Sequence, residues 1–586
     1  MTNETNDLQE QEKVQEIAGM PSRRYRIYLL IAMVAVLWIG VLMGRKYERS
    51  YATQMLQTMA TSQDSTVVEG NNNLDLYSAQ LAAIEQLVVG NDKLMQTVMA
   101  IDNYYVDAVS LDEIYEKAIP KLLSELDPHS EYIPAKDYSA VNESLDGEFD
   151  GIGLVFNAAT DTIVVLNVIP QGPCDRAGVR AGDRVLRIDG QDVAGQKVPQ
   201  DSMMKLMRGP RGSQVRLSIQ RQDIDNLVDI DVIRAPIEIH SIETAFILDE
   251  EAHIGFIRLS QFSRTSHAEI RKAITKLQNE GMKSLILDLR GNTGGFLDQA
   301  ILITNEFLPA NKLIVYTEDR FGQQIREYSR GTGSLTNIPL VILVDETSAS
   351  SSEILAGAIQ DNDRGLIIGR RTYGKGLVQA QIPFMDGSAM RLTVARYFTP
   401  TGRSIQKPYT KGDAYSYDLE LLDRYAHNEF FSADSIHFDD SLKYTTPGGR
   451  TVYGGGGIMP DIFIPLDTMG ITPYYTKVWN NNTIYRYTLD FTDRHRKEID
   501  ALRNLKELDA LLSSEDIMGD FAEYAERQGI THNAEELSKS YNIIEAQLRA
   551  YIGRNAFNDE SGFYYNIYPI DDAMKRAVRE LNKMKN

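Results

Sequence analysis

The residues best suited to chemistry lie between Val341 and Gln379, VILVDETSASSSEILAGAIQDNDRGLIIGRRTYGKGLVQ. Val341 to Val344 is an apolar run of strand character, and Glu346 to Ser350 are turn and cap residues. Ile354, Leu355, Ala358 and Ile359 then recur at helical spacing, with Gly365 as a stop. This order puts Ser350 at the mouth of a helix just after a strand, where free N–H groups could stabilise a developing oxyanion. A serine hydroxyl there is a candidate nucleophile if a base can reach it. The stretch holds no histidine, and Lys375, bracketed by Gly374 and Gly376, is the nearest candidate base. Its amine works as a base only when neutral, so burial must bring its pKa from ~10.4 towards ~7–8. Gln379, four residues on, falls on the same face and could orient the amine without adding charge.

Local sequence leaves a second reading open, because Ser350 with Glu353 also spells a capping box. A phosphate loop is a poorer fit. Gly369 to Lys375 matches G-x-x-x-x-G-K, but Gly376 stands where Ser or Thr should follow, and LVQAQIPF reads as strand, not helix.

The elements that must carry these residues follow from the rest of the chain. It has 586 residues and a formal net charge of −21. That length suffices for several domains, and that charge argues against nucleic acid and against peripheral attachment to anionic lipid. Cys174 is the single cysteine, which excludes an intramolecular disulfide framework. The histidines form neither HExxH nor a Cys/His cluster, no EF-hand loop occurs, and the GIGL glycines lack the rest of a dinucleotide fingerprint; no metal or cofactor is expected. Ile27 to Gly44 is an uninterrupted apolar run between basic flanks, just long enough to span a bilayer. No convincing cleavage site follows, so it reads as an uncleaved anchor. Residues 45–73 read as a polar linker and 74–146 as helical, with Leu94, Val98, Ile101 and Tyr105 on one face. Further on, SLILDL from Ser284, a helical pattern from Phe296 to Phe307, and a strand from Leu313 to Tyr316 precede the central stretch. Strands alternating with helices predict an α/β core built of βαβ units. From Leu466 the pattern is mostly helical.

TSASSSE, QDNDRG and YGKGLVQ, in that order, resemble the catalytic signature of the carboxy-terminal processing (tail-specific) serine proteases. The resemblance implies a Ser350/Lys375 dyad assisted by Gln379, with Asp361 as a supporting acidic position. DLRGNTGG, Asp288 to Gly295, matches a motif on the rim of that family's site; it implies an oxyanion hole built from the Gly294 or Gly295 amide with that of Ser351. Gly147 to Pro236 resembles a PDZ domain, β-sandwich-like, in which Gly151-Ile152-Gly153-Leu154 would cradle a terminal carboxylate while the bound tail adds to a sheet edge. Arg208, in RGPRG, is a candidate for reporting PDZ occupancy, or simply a surface hairpin arginine. LDPHSEYIPAKDY, Leu126 to Tyr138, resembles the segment preceding that PDZ domain, which assigns it a structural role. The family's G-I-x-P-D-I phrase is delayed here to Gly457, leaving an aromatic, acidic insertion over 407–456: a lid, a partner surface, or an addition without catalytic consequence.

The expected organisation is an α/β multidomain chain. It comprises a cytoplasmic tail 1–26, a transmembrane anchor 27–44, a linker 45–73, a helical region 74–146, a PDZ domain 147–236, a protease core 237–465 and a helical extension 466–586. The expected function is a single-pass serine endopeptidase of the inner (cytoplasmic) membrane, with its catalytic part in the periplasm or outside the cell. It would capture the C-terminal tails of protein or peptide substrates and cut them without a cofactor. The helical extension is a candidate surface for a homodimer. The alternative is a PDZ adaptor that binds tails without proteolysis.

Overall fold

The computed structural model describes residues 93–157, 162–169, 171–196, 198–221, 224–557 and 560–584. The anchor expected over 27–44 and the linker after it lie outside these residues, and among the described ones no helix is long and apolar enough to cross a membrane. The chain divides after Leu111 into two units. In the first, Lys93–Tyr104 is a helix with no buried residue.

The second unit departs early from the helical expectation. Between helices Leu111–Ser124 and Tyr138–Asp146 lies a strand, β1 (Glu131–Ile133). The cause is the Asp-Pro step before it. Asp127 Oδ1 accepts the N–H groups of His129 and Ser130 at 2.9 and 3.0 Å, a side-chain turn that diverts the chain out of helix.

The PDZ-like segment is an antiparallel sheet of β2 (Leu154–Asn157), β3 (Ile163–Val168), β4 (Arg184–Ile188), β5 (Gln214–Arg221) and β6 (Ile224–Ile233), paired in that order. β2 is an edge strand. Helix α1 (Gln200–Met207) buries Met203 and Met207 in the core with Ile163, Val185, Val215 and Leu217. The two connections to the rest of the unit, Glu148–Gly151 and Ala235–Glu238, pair antiparallel as a stalk.

The core holds two sheets, assembled from β7 (Ile242–Asp249), β8 (Ile254–Leu259), β9 (Ser284–Asp288), β10 (Leu313–Asp319), β11 (Gln324–Tyr328), β12 (Leu340–Val344), β13 (Leu366–Gly369), β14 (Leu377–Pro383), β15 (Ala389–Phe398) and β16 (Ile462–Phe463). The main sheet runs β7-β8-β9-β12-β13-β16, parallel except for the β7–β8 pair. Every residue of β9 and β12 is buried, the near-continuous apolar pattern of strands covered on both faces. Leu340, Ile342 and Val344 face one cluster with helices α2 (Ser266–Asn279), α3 (Leu297–Asn305) and α4 (Ser351–Asp361). Val341 and Leu343 face the other. The second sheet is β1-β15-β10-β11, with β14 also on β15.

Within 407–456, helix α5 (Ala414–Ala426) and the hairpin Lys443–Thr445/Thr451–Tyr453 are ordered against the core. The C-terminal region is helical as expected, with its own core including Tyr487, Phe491, Phe521 and Leu548. It ends in α6 (Asp572–Met584), whose Met574, Ala577, Val578 and Leu581 close the second face of the main sheet over Phe256, Ile286 and Val341. Leu581→Ala should therefore lower stability by about 2–5 kcal/mol, read as a lower denaturant midpoint of the protease unit; an unchanged midpoint would mean that α6 is not part of the folded core.

Candidate active site

Ser350 stands between β12 and α4, half-buried, with φ 55° and ψ −114°. A non-glycine residue in this region is strained by ~1–3 kcal/mol unless its surroundings over-determine it. Here they do. Ala349 N–H donates to the carbonyl of Asn292 at 3.0 Å, and Ser352 Oγ donates to the same oxygen at 2.9 Å. Ser348 Oγ donates to the Leu289 carbonyl at 2.8 Å, and Ser351 Oγ to that of Gly295 at 2.9 Å. The serine-rich run is thus stitched side by side to the DLRGNTGG turn.

Lys375 lines the same cleft as Ser350, a cavity of about 480 Å³ whose walls include Gly294, Gly295, Gln379 and Tyr397. Its Nζ donates to Gln379 Oε1 at 2.8 Å. Gln379 lies in β14, and its amide Nε2 donates to the His129 carbonyl, which fixes which end of the amide meets the amine. Burial, helped by the positive charge of Arg391, lowers the Lys375 pKa from its ordinary value. A neutral amide as the amine's hydrogen-bond acceptor leaves that depression in place, where a carboxylate would oppose it.

Glu353 is where the capping reading and the chemical reading meet. Its carboxylate is fully buried and accepts four bonds. Oε2 takes the N–H groups of Ser350 at 2.8 Å and Lys375 at 2.9 Å; Oε1 takes that of Gly374 at 2.7 Å and the Thr372 hydroxyl at 2.5 Å. Burial pushes its pKa up to about 7 against the pull of these donors. Tyr397 adds a second tie between the same two residues, its hydroxyl donating to the Lys375 carbonyl at 2.6 Å with the Ser350 carbonyl at 3.2 Å. The sequence offered Glu353 only as a cap, and nothing in RLTVARYFTPTGRSIQ marked Tyr397.

Two N–H groups beside Ser350 donate to nothing among the described residues. Among the described residues, those of Gly295 and Ser351 have no acceptor, whereas the Gly294 N–H is taken by Asn292 Oδ1 at 2.9 Å. Gly294 instead supplies clearance, since a Cβ there would lie 2.8 Å from the Ser350 Cβ. Asn292, buried, also donates through Nδ2 to the Leu259 carbonyl at 2.8 Å, and this fixes the loop.

The other expected residues lie elsewhere. Asp361, at the far end of α4, pairs with the fully buried Arg403 at 2.7 Å and accepts from Thr401, so it braces a turn and does not line the cleft. Arg208 bonds Glu143 at 2.5 Å and lies 4.7 Å over the Phe149 ring, beside the stalk. Gly151 to Leu154 lead from the stalk into edge strand β2. Among the described residues no cluster of His, Cys, Asp and Glu could hold a metal ion.

The sequence profile of peptidase family S41 matches residues 253–416, and that of the PDZ domain residues 151–232. A family of unknown function matches 474–558. The carboxy-terminal-processing protease of Bartonella bacilliformis is 38% identical over 307 residues, 52% of this chain and 69% of that protein. The carboxyl-terminal-processing protease of Picosynechococcus sp. is 37% identical over 299 residues, 50% of this chain and 71% of that one. The carboxy-terminal processing protease CtpA of Bacillus subtilis is 32% identical over 347 residues, 59% and 72%. Among solved structures, the photosystem II D1 C-terminal processing protease aligns at 30% identity over 53% of this chain and 89% of its own, with a TM-score of 0.32.

Glu353→Gln tests the clamp. A glutamine keeps one acceptor oxygen and turns an NH₂ towards two donors, leaving each unpaired at a cost of about 1–3 kcal/mol. The expected outcome is a hydrolysis rate at least about tenfold lower, as each 1.4 kcal/mol of lost positioning is tenfold, together with a lower denaturant midpoint. In the wild type the rate should fall as pH drops through about 7, because the protonated carboxyl loses acceptor capacity. A variant with wild-type rate and midpoint would remove Glu353 from the site.

Proposed function

We build the proposal on one premise: this chain belongs to peptidase family S41, a serine-type peptidase carrying a PDZ domain. From it we propose a membrane-anchored endopeptidase that captures the C-terminal tails of proteins and cuts them with a Ser350/Lys375 dyad. Support for the dyad comes from one observation above all: an amine of lowered pKa shares a narrow cleft with a strained serine at a helix N-terminus, and its acceptor is a neutral amide.

In this reading neutral Lys375 takes the Ser350 hydroxyl proton as the oxygen attacks the scissile carbonyl. The N–H groups of Gly295 and Ser351 receive the oxyanion; their lack of any other acceptor favours Gly295 over Gly294. The ammonium of Lys375 then protonates the leaving amine, the acyl-enzyme forms, and Lys375, neutral again, draws a proton from the water that releases it. Gln379 holds the amine in line, and Asp361 acts at a distance by bracing the 401–403 turn. The tail would lie along edge strand β2, its carboxylate at Gly151 to Leu154. The Arg208–Glu143 pair beside the stalk is a natural point for tail binding to be felt.

The apolar run 27–44 with its basic flanks supports a single N-terminal anchor, and the family's habit places the catalytic part outside the cytoplasm.

The deciding experiment incubates a protein ending in an apolar tail with wild type, Ser350→Ala and Lys375→Ala and weighs the fragments. Cleavage by wild type and its loss in both folded variants, by more than about 10³-fold, is expected for a nucleophile and its base. Survival of cleavage in Ser350→Ala would end the mechanism, and tail binding without cleavage by wild type would leave a tail-binding adaptor. kcat/KM should rise with pH and level off below the ordinary lysine range, because burial and Arg391 favour the neutral amine. Fractionation completes the set: full-length chain should pellet with membranes, and a chain starting after residue 73 should not.

A further inference from the structure

The insertion over 407–456 reaches the active site. Lys375 Nζ donates to Gln379 Oε1, and Gln379 Nε2 donates to the His129 carbonyl. His129 Nε2 in turn lies 2.9 Å from the hydroxyl of Tyr417, on helix α5 of the insertion. Gln406 Nε2 donates to the Tyr417 oxygen at 3.2 Å, so the phenol proton is free to point at His129. A neutral His129 ring with its proton on Nδ1 accepts it at Nε2, and burial and the charges of Lys375 and Lys407 bring the ring's pKa to about 4, with Asp127 opposing.

α5 is held to this place from both sides. The Tyr417 ring meets the His129 ring edge-on at 5.1 Å. Lys407, buried, puts its ammonium 4.1 Å from the centres of both the Tyr417 and Tyr373 rings and bonds Glu420 at 2.9 Å. Tyr373 lies two residues before Lys375. Arg424, on the same helix, donates to the carbonyls of Arg371 and Thr372 at 2.7 and 3.1 Å. A helix gripping the backbone just ahead of the lysine, and presenting one hydroxyl to the residue that orients its amide partner, is more than a surface decoration.

We propose that Tyr417 is a positioning residue for Lys375, acting through His129 and Gln379, so that the insertion is a working part of the active site. The inference rests on the dyad reading above. Without the Tyr417 hydroxyl, His129 loses the bond that fixes its ring. The turn carrying its carbonyl gains freedom, and Gln379 holds the amine less well in line with Ser350. Substrate binding is untouched, because Tyr417 does not line the cleft.

The test is steady-state kinetics on the full chain with wild type, Tyr417→Phe, His129→Phe, Gln379→Ala, and Tyr417→Phe combined with Gln379→Ala. Phenylalanine keeps the ring against Lys407 and removes only the hydroxyl, and His129→Phe breaks the same bond from its other end. Each should lower kcat a few-fold to about tenfold, the worth of one neutral hydrogen bond, with KM unchanged. In the Gln379→Ala background Tyr417→Phe should cost little more, since residues acting in series are not additive. Unchanged kcat in both phenylalanine variants, an effect on KM alone, or a loss that multiplies in full with Gln379→Ala would each overturn the proposal. Lys375→Ala is run alongside. If it cleaves as wild type does, the dyad reading has fallen and takes this inference with it; if it is inactive while Tyr417→Phe keeps full kcat, this inference alone has failed.

Discussion

The structure depends on one buried carboxylate. Ser350 comes from the turn after β12 and Lys375 from the loop before β14, elements joined by nothing local. Glu353 sits between them, accepting the backbone N–H of each. An ion this deeply buried is tolerable only if its lone pairs are filled by donors, and here both oxygens accept two bonds apiece. The desolvation that raises its pKa is also what makes it a strict ruler, since a carboxylate out of reach of bulk solvent cannot readily exchange a displaced donor for water. For the proposed dyad a fixed Ser–Lys distance is the one quantity that cannot be done without, because proton transfer demands hydrogen-bond contact.

A second constraint is how closely two strand-to-helix turns can approach. The turn after β9 must bring an N–H beside Ser350 without bulk. Gly294 at φ 107° faces the Ser350 Cβ, and Gly295 at φ 144° lies where a Cβ would meet the Phe262 carbonyl at 2.2 Å. The glycine pair is a requirement of contact, and Asn292 finishes the work by occupying the Gly294 N–H and leaving that of Gly295 unpaired. The strain at Ser350 belongs to the same device: the bonds its neighbours make to the DLRGNTGG turn hold its backbone at a φ it would not adopt alone.

Much of this was legible in the chain. Apolar runs such as LVILV and SLILD named the buried parallel strands, and the strand after Gly376 was visible in LVQAQIPF. Ser350, Lys375 and Gln379 declared themselves through residue type and order, and they do meet in one cleft. What escaped were long-range partners whose local sequence has a plainer explanation. Asp127-Pro128-His129 reads as a turn and is one, yet the carbonyl it presents meets Gln379, far along the chain. β1 was read as helix because its pairing partner on β15 is equally distant. Tyr397 is an ordinary strand tyrosine until its hydroxyl is seen between the backbone carbonyls of Ser350 and Lys375. Non-local contacts of this kind leave no periodicity to detect.

The segments with the least motif content turn out to be tied to the chemistry from opposite sides. From the C-terminal region Asp571 bonds Arg290 at 2.8 Å, and Arg290 with Arg258 neutralises the fully buried Asp288 at the root of the glycine turn. From the insertion, Arg424 and Lys407 grip the approach to Lys375. Both ties place cationic groups near the two loops, and both are satisfied by acids from the same added segments, Asp571 in one case and Glu420 and Glu429 in the other. Charges compensated this way contribute rigidity while adding little net field at the amine, so the loops can be stiffened with little effect on the lysine's pKa in either direction. A segment that merely decorated the surface would have no reason to bring its own counter-ions against buried or part-buried cations, where desolvation makes each charge costly.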